Sequence, residues 1–335
     1  MGKLNKLREI LYSISNVKML SLLKKQNIFG YHHVVSNDEL RHITNLYNYK
    51  NVQTFIDDID FLLRHYTPID PLDLGTGKKI KNGFLLTFDD GLAEIYQIVY
   101  PILKERGLSA IFFINPAFVG DNQIMNRHYQ SLVIEYIRDN KINDVDLSKI
   151  ASVINLPLLE KEELILSLIQ ISNIDYGKLL TISNILNYHI NDHTSDTQIY
   201  VTKDQIKEMI ADGFYFGGHT MSHPRLDTLP VKEQRKEIID SIKWVKSNFD
   251  LNYSFFAFPY TDALTSKSLI TDVLSTDVNL IVFGNTGMRE DFDSRIIQRI
   301  SLEQPEKSID KVIVSENLLK FVLQFLRKNK LKRND

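Results

Sequence analysis

The sequence predicts an α/β barrel built on a mostly parallel sheet, and three observations predict it. Apolar runs of strand length, such as Gly83-Phe84-Leu85-Leu86-Thr87-Phe88, are nearly continuous, as strands covered on both faces must be. Segments with helical spacing alternate with them, which makes βα units. The residues with the most chemistry, Asp89-Asp90-Gly91 and His219-Thr220-Met221-Ser222-His223, each follow a strand, and a βα barrel keeps its reactive groups at the C-terminal strand ends.

In chain order, Leu4, Leu7, Ile10, Leu11, Ile14, Val17 and Leu20 are spaced as on an amphipathic helix within residues 1–26. Residues 28–34 read as a strand, and 52–66 as a helix carrying Val52, Phe55, Ile59, Leu62 and Leu63. After the strand at 83–88 comes a helix near 94–106, closed by Gly107, and then a strand at 110–114. Residues 121–200 interrupt this rhythm with three helical patterns, at 129–138, 159–171 and 177–187, and are expected to form an inserted helical subdomain. Asn126, Arg127, His128 and Tyr129 read as its polar helix start, with contact to a sugar or phosphate as the alternative. His128, His189 and His193 show no acidic partner pattern, so no second metal site is expected there.

Thr202 then caps a helix at 203–212 ended by Gly213. A strand at 214–218 leads into the histidine pair, followed by a helix at 231–249 and strands at 254–258, 280–284 and near 296–300. A basic amphipathic helix near 315–329 closes the chain, and Trp244 reads as a packing residue on its own helix. The expected division is a basic helix at 1–26, a barrel at 27–120 and 201–303, the insertion at 121–200, and a basic helix at 304–335.

With 335 residues, 43% hydrophobic and 24% charged, the chain suits one such barrel with an insertion. No cysteine is present, which excludes disulfides and thiolate metal sites. No run approaches the roughly 18 apolar residues of a membrane span. The net charge of −2 conceals an asymmetry, because residues 1–26 and 320–335 together carry +10 and the middle −12. Basic ends suit an anionic membrane surface or phosphates, and equally two solvated lysine-rich tails. Residues 1–26 lack the continuous apolar core of a signal peptide. The expectation is a cytoplasmic protein, in peripheral contact with the inner face of the membrane through its ends and without a nucleic-acid partner.

One carboxylate and two histidines make a three-ligand site for a divalent metal with room for water. The carboxylate left over is then a base beside that water, which equips the site for metal-assisted hydrolysis of an amide or ester. Successive strand residues point to opposite faces, so Asp89 and Asp90 suit different tasks. His219 and His223, four apart, share one face of a helix or tight turn. As a bland reading, Asp-Asp-Gly is a turn and the two histidines are surface residues.

Thr87-Phe88-Asp89-Asp90-Gly91 with His219-Thr220-x-x-His223 resembles the polysaccharide deacetylases with a NodB homology domain, carbohydrate esterase family 4, over about residues 28–303 outside the insertion. The resemblance implies a deformed (β/α)7 barrel and N-deacetylation of a sugar or glycan precursor in surface-polysaccharide biosynthesis. By it Asp89 is the catalytic base, and Asp90, His219 and His223 hold the metal. Zinc is the default ion, with cobalt, nickel and iron as alternatives. Phe258-Pro259-Tyr260 resembles the segment whose backbone N–H steadies the oxyanion, here the Tyr260 amide. The family arginine that pairs with the base is missing near that proline, and Arg299 is the candidate replacement.

The family's C-terminal Leu-x-His, source of the general acid, is also missing, since no histidine follows His223. Tyr31-His32-His33-Val34 resembles instead the circularly permuted branch that includes poly-N-acetylglucosamine deacetylases. There the acid-bearing strand comes first, which implies His32 as the acid, with His33 as the second candidate. The implied substrate is an N-acetylated sugar, lipid- or nucleotide-linked. The alternatives are a different acyl group, formyl or O-acetyl, or a non-catalytic sugar-binding protein of the same fold.

Overall fold

The computed structural model describes residues 3–23, 25–120, 123–172, 174–190 and 197–335. Parts of the expected insertion, including His193, lie outside the described residues. The chain begins with helix α1 (Lys3–Ile14) and strand β1 (Ile28–His32), followed by α2 (Val52–His65) and β2 (Thr67–Pro68). The first half of the barrel continues with β3 (Gly83–Phe88), α3 (Tyr100–Glu105) and β4 (Ile111–Ile114). Four helices follow, α4 (Asn126–Asp139), α5 (Asp144–Val153), α6 (Lys161–Gln170) and α7 (Tyr176–Leu186). Of these, α5 has no counterpart among the helices expected from the sequence; only Leu147, Ile150 and Ala151 of it are buried.

The barrel resumes with α8 (Lys203–Ala211), β5 (Tyr215–Gly218), α9 (Val231–Asn248) and β6 (Ser254–Ala257). It ends with α10 (Lys267–Ser275), β7 (Leu280–Gly284), β8 (Ile296–Gln298), β9 (Ile300–Ser301) and α11 (Ile309–Phe325). Helix α11 starts six residues earlier than the charge pattern suggests, because Ile309, Ile313 and Val314 are buried against the barrel.

The sheet runs β8-β7-β6-β5-β4-β3-β1-β9, and its strands pair parallel throughout. β8 and β9 are halves of one strand interrupted at Arg299, one half pairing with β7 and the other with β1. Chain continuity through Arg299 therefore closes the ring into a nearly complete (β/α) barrel.

Neither face of the ring's strands is left exposed, but the two faces keep different company. Leu85, Ile111, Phe113, Phe255, Ala257, Ile281 and Phe283 fill the inside of the ring. Phe84, Leu86, Phe88, Phe112 and Phe216 face outward against the helices, among them Phe55 and Ile59 of α2. This two-sided burial explains why the strands read as continuous apolar runs rather than alternating ones. Helices α4 to α7 share a separate core with Phe118, Ile199 and Tyr200, which seats the helical segment above the strand ends. The terminal helices α1 and α11 pack on each other through Leu11, Leu319 and Leu323.

Candidate active site

The inward face of β3 carries Leu85 and Thr87, and the alternation delivers Asp89 to the mouth of the barrel. Asp89 is 2% exposed, and Arg299 is fully buried beneath it. The guanidinium grips the carboxylate with two parallel bonds, Nη1 to Oδ1 at 2.7 Å and Nη2 to Oδ2 at 2.8 Å, and also donates to Thr87 Oγ1. Tyr31 and Phe113 flank the guanidinium, their ring centroids 4.8 and 5.3 Å away. Burial alone would raise the Asp89 carboxyl, but Arg299 outweighs it and holds Asp89 below the ordinary carboxylate range. Arg299 thus reaches Asp89 from the last strand of the ring.

Asp90, one residue on, turns the opposite way through a left-handed backbone, φ 73°. Gly91 follows at φ 68°, and a Cβ there would lie 2.9 Å from Ile114, so both conformation and space require glycine. Asp90 Oδ1 faces His223 Nε2 at 3.2 Å and His219 Nε2 at 3.4 Å, and it is buried with no hydrogen-bond partner among the described residues. Possible ligand atoms of the three side chains lie within 4.8 Å of one another. His219 Nδ1 lies 2.8 Å from the Ala257 carbonyl, which sets the tautomer that leaves Nε2 free to bind. Burial drives His223 down to about 3, so its ring is neutral, as a metal ligand must be. An orphaned buried carboxylate oxygen facing two imidazole nitrogens fits a divalent cation.

The loop carrying the histidines is held under strain. Its Thr220 and His223 adopt positive φ, 65° and 54°, and so does Tyr260 after β6, at 53°. For a β-branched residue such as Thr220 this costs on the order of 1–3 kcal/mol. The buried Asn115 side chain donates to the carbonyls of His219 and Thr220, and Thr220 Oγ1 accepts from the His223 N–H at 3.1 Å. These bonds oppose the strain and aim both rings at Asp90.

The two neighbouring histidines of β1 part company. His32, expected as the acid, is 1% exposed and points outward, stacked on Phe88 at 5.6 Å and edge-on to Phe55 at 5.5 Å. Neither of its ring nitrogens has a partner among the described residues, and burial holds it neutral, well below the usual value. His33 lies on the inward face with Phe29 and Tyr31 and lines the cavity that holds Asp89 and Asp90. The reason is strand alternation: β1 pairs His32 with outward-facing Phe88, which sets the next residue beside Asp89. Glu303 takes His33 Nδ1 at 2.7 Å and its backbone N–H at 3.0 Å. Burial opposes the charged ring, but Glu303, Asp90 and Asp89 overcome it and push His33 up to about 10.

The cavity measures about 450 Å³. Tyr260 stands at its wall, its ring 4.7 Å from that of His223. The Tyr260 N–H has no acceptor among the described residues. Tyr47, Arg127 and His128 line it as well. Arg127 and His128 do open a helix, α4, and also reach the cavity, so the two readings of 126–129 are compatible. Neither Tyr47 nor Glu303 was legible as a site residue, for both sit in loops without a motif.

Residues 76–139 and 177–278 match the family model described as polysaccharide deacetylase. The match passes over residues 140–176, a shorter gap than the 121–200 read from the sequence rhythm. No curated protein matches the sequence. Among solved structures, IcaB from Ammonifex degensii is similar with a TM-score of 0.53 at 16% identity, covering 87% of this chain and 97% of that one. The deacetylase PplD of Streptococcus pyogenes, solved with acetate, gives 0.51 at 17% identity over 88% and 96% of the two chains. A de-N-acetylase from Aggregatibacter actinomycetemcomitans gives 0.51 at 14% identity over 85% and 98%. At these identities the likeness speaks for the shared fold.

Proposed function

This chain belongs to the polysaccharide deacetylase family and is a hydrolase of amide bonds; on that premise we propose that it removes acetyl groups from N-acetylated sugar units, with Asp89 as base and His33 as acid. Asp90, His219 and His223 would hold the divalent ion. When bound, that ion supplies Lewis-acid polarisation of the acetamide carbonyl and a more acidic water, with zinc the default and cobalt, nickel or iron the alternatives.

Asp89, kept ionised by Arg299, accepts a proton from the attacking water as the new C–O bond forms. The Tyr260 N–H would donate to the oxyanion that develops on the former carbonyl. His33, kept protonated by Glu303, passes a proton to the nitrogen as the C–N bond breaks. One water is consumed, and acetate and a free amino sugar leave. His33 replaces His32 in this scheme because a proton donor must face the substrate. The family description supports a polymer or its precursor as substrate, and a role in surface-polysaccharide synthesis follows from that as part of the proposal.

The observation that carries the reading is the convergence of Asp89–Arg299, the Asp90-His219-His223 set and His33–Glu303 on one cavity. The test is incubation of metal-loaded protein with N-acetylglucosamine oligomers, followed by acetate assay and product mass. Acetate release with loss of one acetyl mass is expected. Turnover confined to formyl or O-acetyl analogues would move the assignment to another acyl group. Binding with no acyl release would leave a sugar-binding protein.

A further inference from the structure

The cavity's charges are not all alike. Asp89 is paired with Arg299 and His33 with Glu303, while Asp90 faces two imidazoles. Arg127 is different. It lines the same cavity, half-buried, yet its guanidinium donates only to neutral acceptors, Gln130 Oε1 at 3.2 Å and the Ile171 carbonyl at 2.9 Å. No carboxylate lies within ion-pair distance of it among the described residues. A partly desolvated guanidinium without an acid is costly, and a structure that keeps one facing a cavity has an anion to offer it.

Two independent features point to the same place. The Tyr47 hydroxyl is buried with no partner among the described residues, and its ring packs 6.0 Å from that of His33, which puts it beside the reacting centre. Helix α4 begins at the cavity wall, with Met125 at its N-cap making no side-chain cap. The positive end of a 14-residue helix therefore adds to the charge of Arg127.

We propose that Arg127, the Tyr47 hydroxyl and the start of α4 form a subsite for an oxyanion carried by the substrate, so that the enzyme prefers acetamido sugars bearing a phosphate or carboxylate close to the reacting residue. This rests on the deacetylase reading of the neighbouring site and adds the charge of the substrate to it. Arg127 is a specificity residue in this scheme, since it takes no part in the proton transfers.

The test compares three substrates on metal-loaded protein: N-acetylglucosamine, its 1-phosphate, and an N-acetylated aminouronic acid. Wild type should turn over at least one charged substrate with kcat/KM about tenfold above the neutral one, the worth of one charge-assisted hydrogen bond. Arg127→Gln should remove most of that preference, chiefly through KM. Arg127→Lys should restore part of it, and Tyr47→Phe should erode it less. Whether the phosphate or the uronate shows the effect identifies the source of the oxyanion. Equal efficiency on all three in wild type, or an equal loss on all three in Arg127→Gln, overturns the subsite and leaves the deacetylase reading intact. If no acetate is released from any substrate, calorimetric binding of the same sugars decides: charge-dependent binding abolished in Arg127→Gln upholds the subsite while the deacetylase reading falls, and binding indifferent to charge or to Arg127 sinks the subsite too.

Discussion

At the strand ends, charged side chains of the site meet partners of the opposite kind: Asp89 lies against Arg299, His33 against Glu303, and Asp90 against two histidines. On the wall supplied by α4, Arg127 has only neutral partners among the described residues, and in the same cavity the Tyr47 hydroxyl has none among them. The difference separates two tasks. A group that must hold a fixed protonation state is best surrounded in advance by its counter-charges, whatever the substrate. A group that must recognise a substrate is better left incomplete until the substrate arrives. The strained residues Asp90, Thr220, His223 and Tyr260 belong to the first task, where side-chain aim matters more than backbone comfort.

The sharpest way to break the strand-end set is through its metal ligands. His219→Ala should reduce bound divalent metal from about one ion per chain to near none, with turnover lost alongside. Elemental analysis of the two proteins checks it, and equal metal content in both would remove the Asp90-His219-His223 assignment. Asp89→Asn should act differently, keeping the metal while turnover falls by about 10²–10⁴, the usual contribution of a general base. Loss of metal in Asp89→Asn but not in Asp90→Asn would show the two roles exchanged.

Next in size is the contrast between neighbouring histidines. His33→Ala should slow the amide substrate by about 10²-fold or more and an activated aryl ester much less, since that leaving group needs little protonation. His32→Leu should leave turnover within about twofold and thermal stability unchanged or raised, because it removes two buried nitrogens that lack partners among the described residues. The reverse outcome would return the acid to His32.

A smaller effect is expected at the base's partner. Arg299→Lys keeps the charge but loses the two-pronged grip on Asp89. The Asp89 carboxyl should then rise from its lowered value, and the acid limb of the kcat/KM profile should move to higher pH. No movement of that limb would mean that Asp89 does not set it.

The smallest effect lies away from the chemistry, at Glu94, which burial pushes from 4.5 up to about 7. Its protonated form is the one the fold favours. The stability it contributes is therefore fully present below pH 4.5 and is lost as pH rises through about 7. Melting temperatures of Glu94→Gln should fall less than those of wild type between these limits, and parallel curves would refute the assignment.

The sequence by itself determined the barrel class, most strand positions, and the Asp-Asp-Gly and His-x-x-x-His motifs. All of these are local: an apolar run of strand length, a helical period, or polar residues directly after a strand. Only the tertiary structure decided which of His32 and His33 enters the cavity. Neither face of β1 is exposed, and both carry apolar or aromatic residues, so hydrophobicity cannot tell inside from outside, and the phase comes from its pairing with β3. The Arg299–Asp89 pair spans 210 positions and exists only because the split last strand closes the ring. Arg127 and Tyr47 likewise become site residues only when the helical segment folds over the strand ends, and no local pattern records a meeting between such distant parts of the chain.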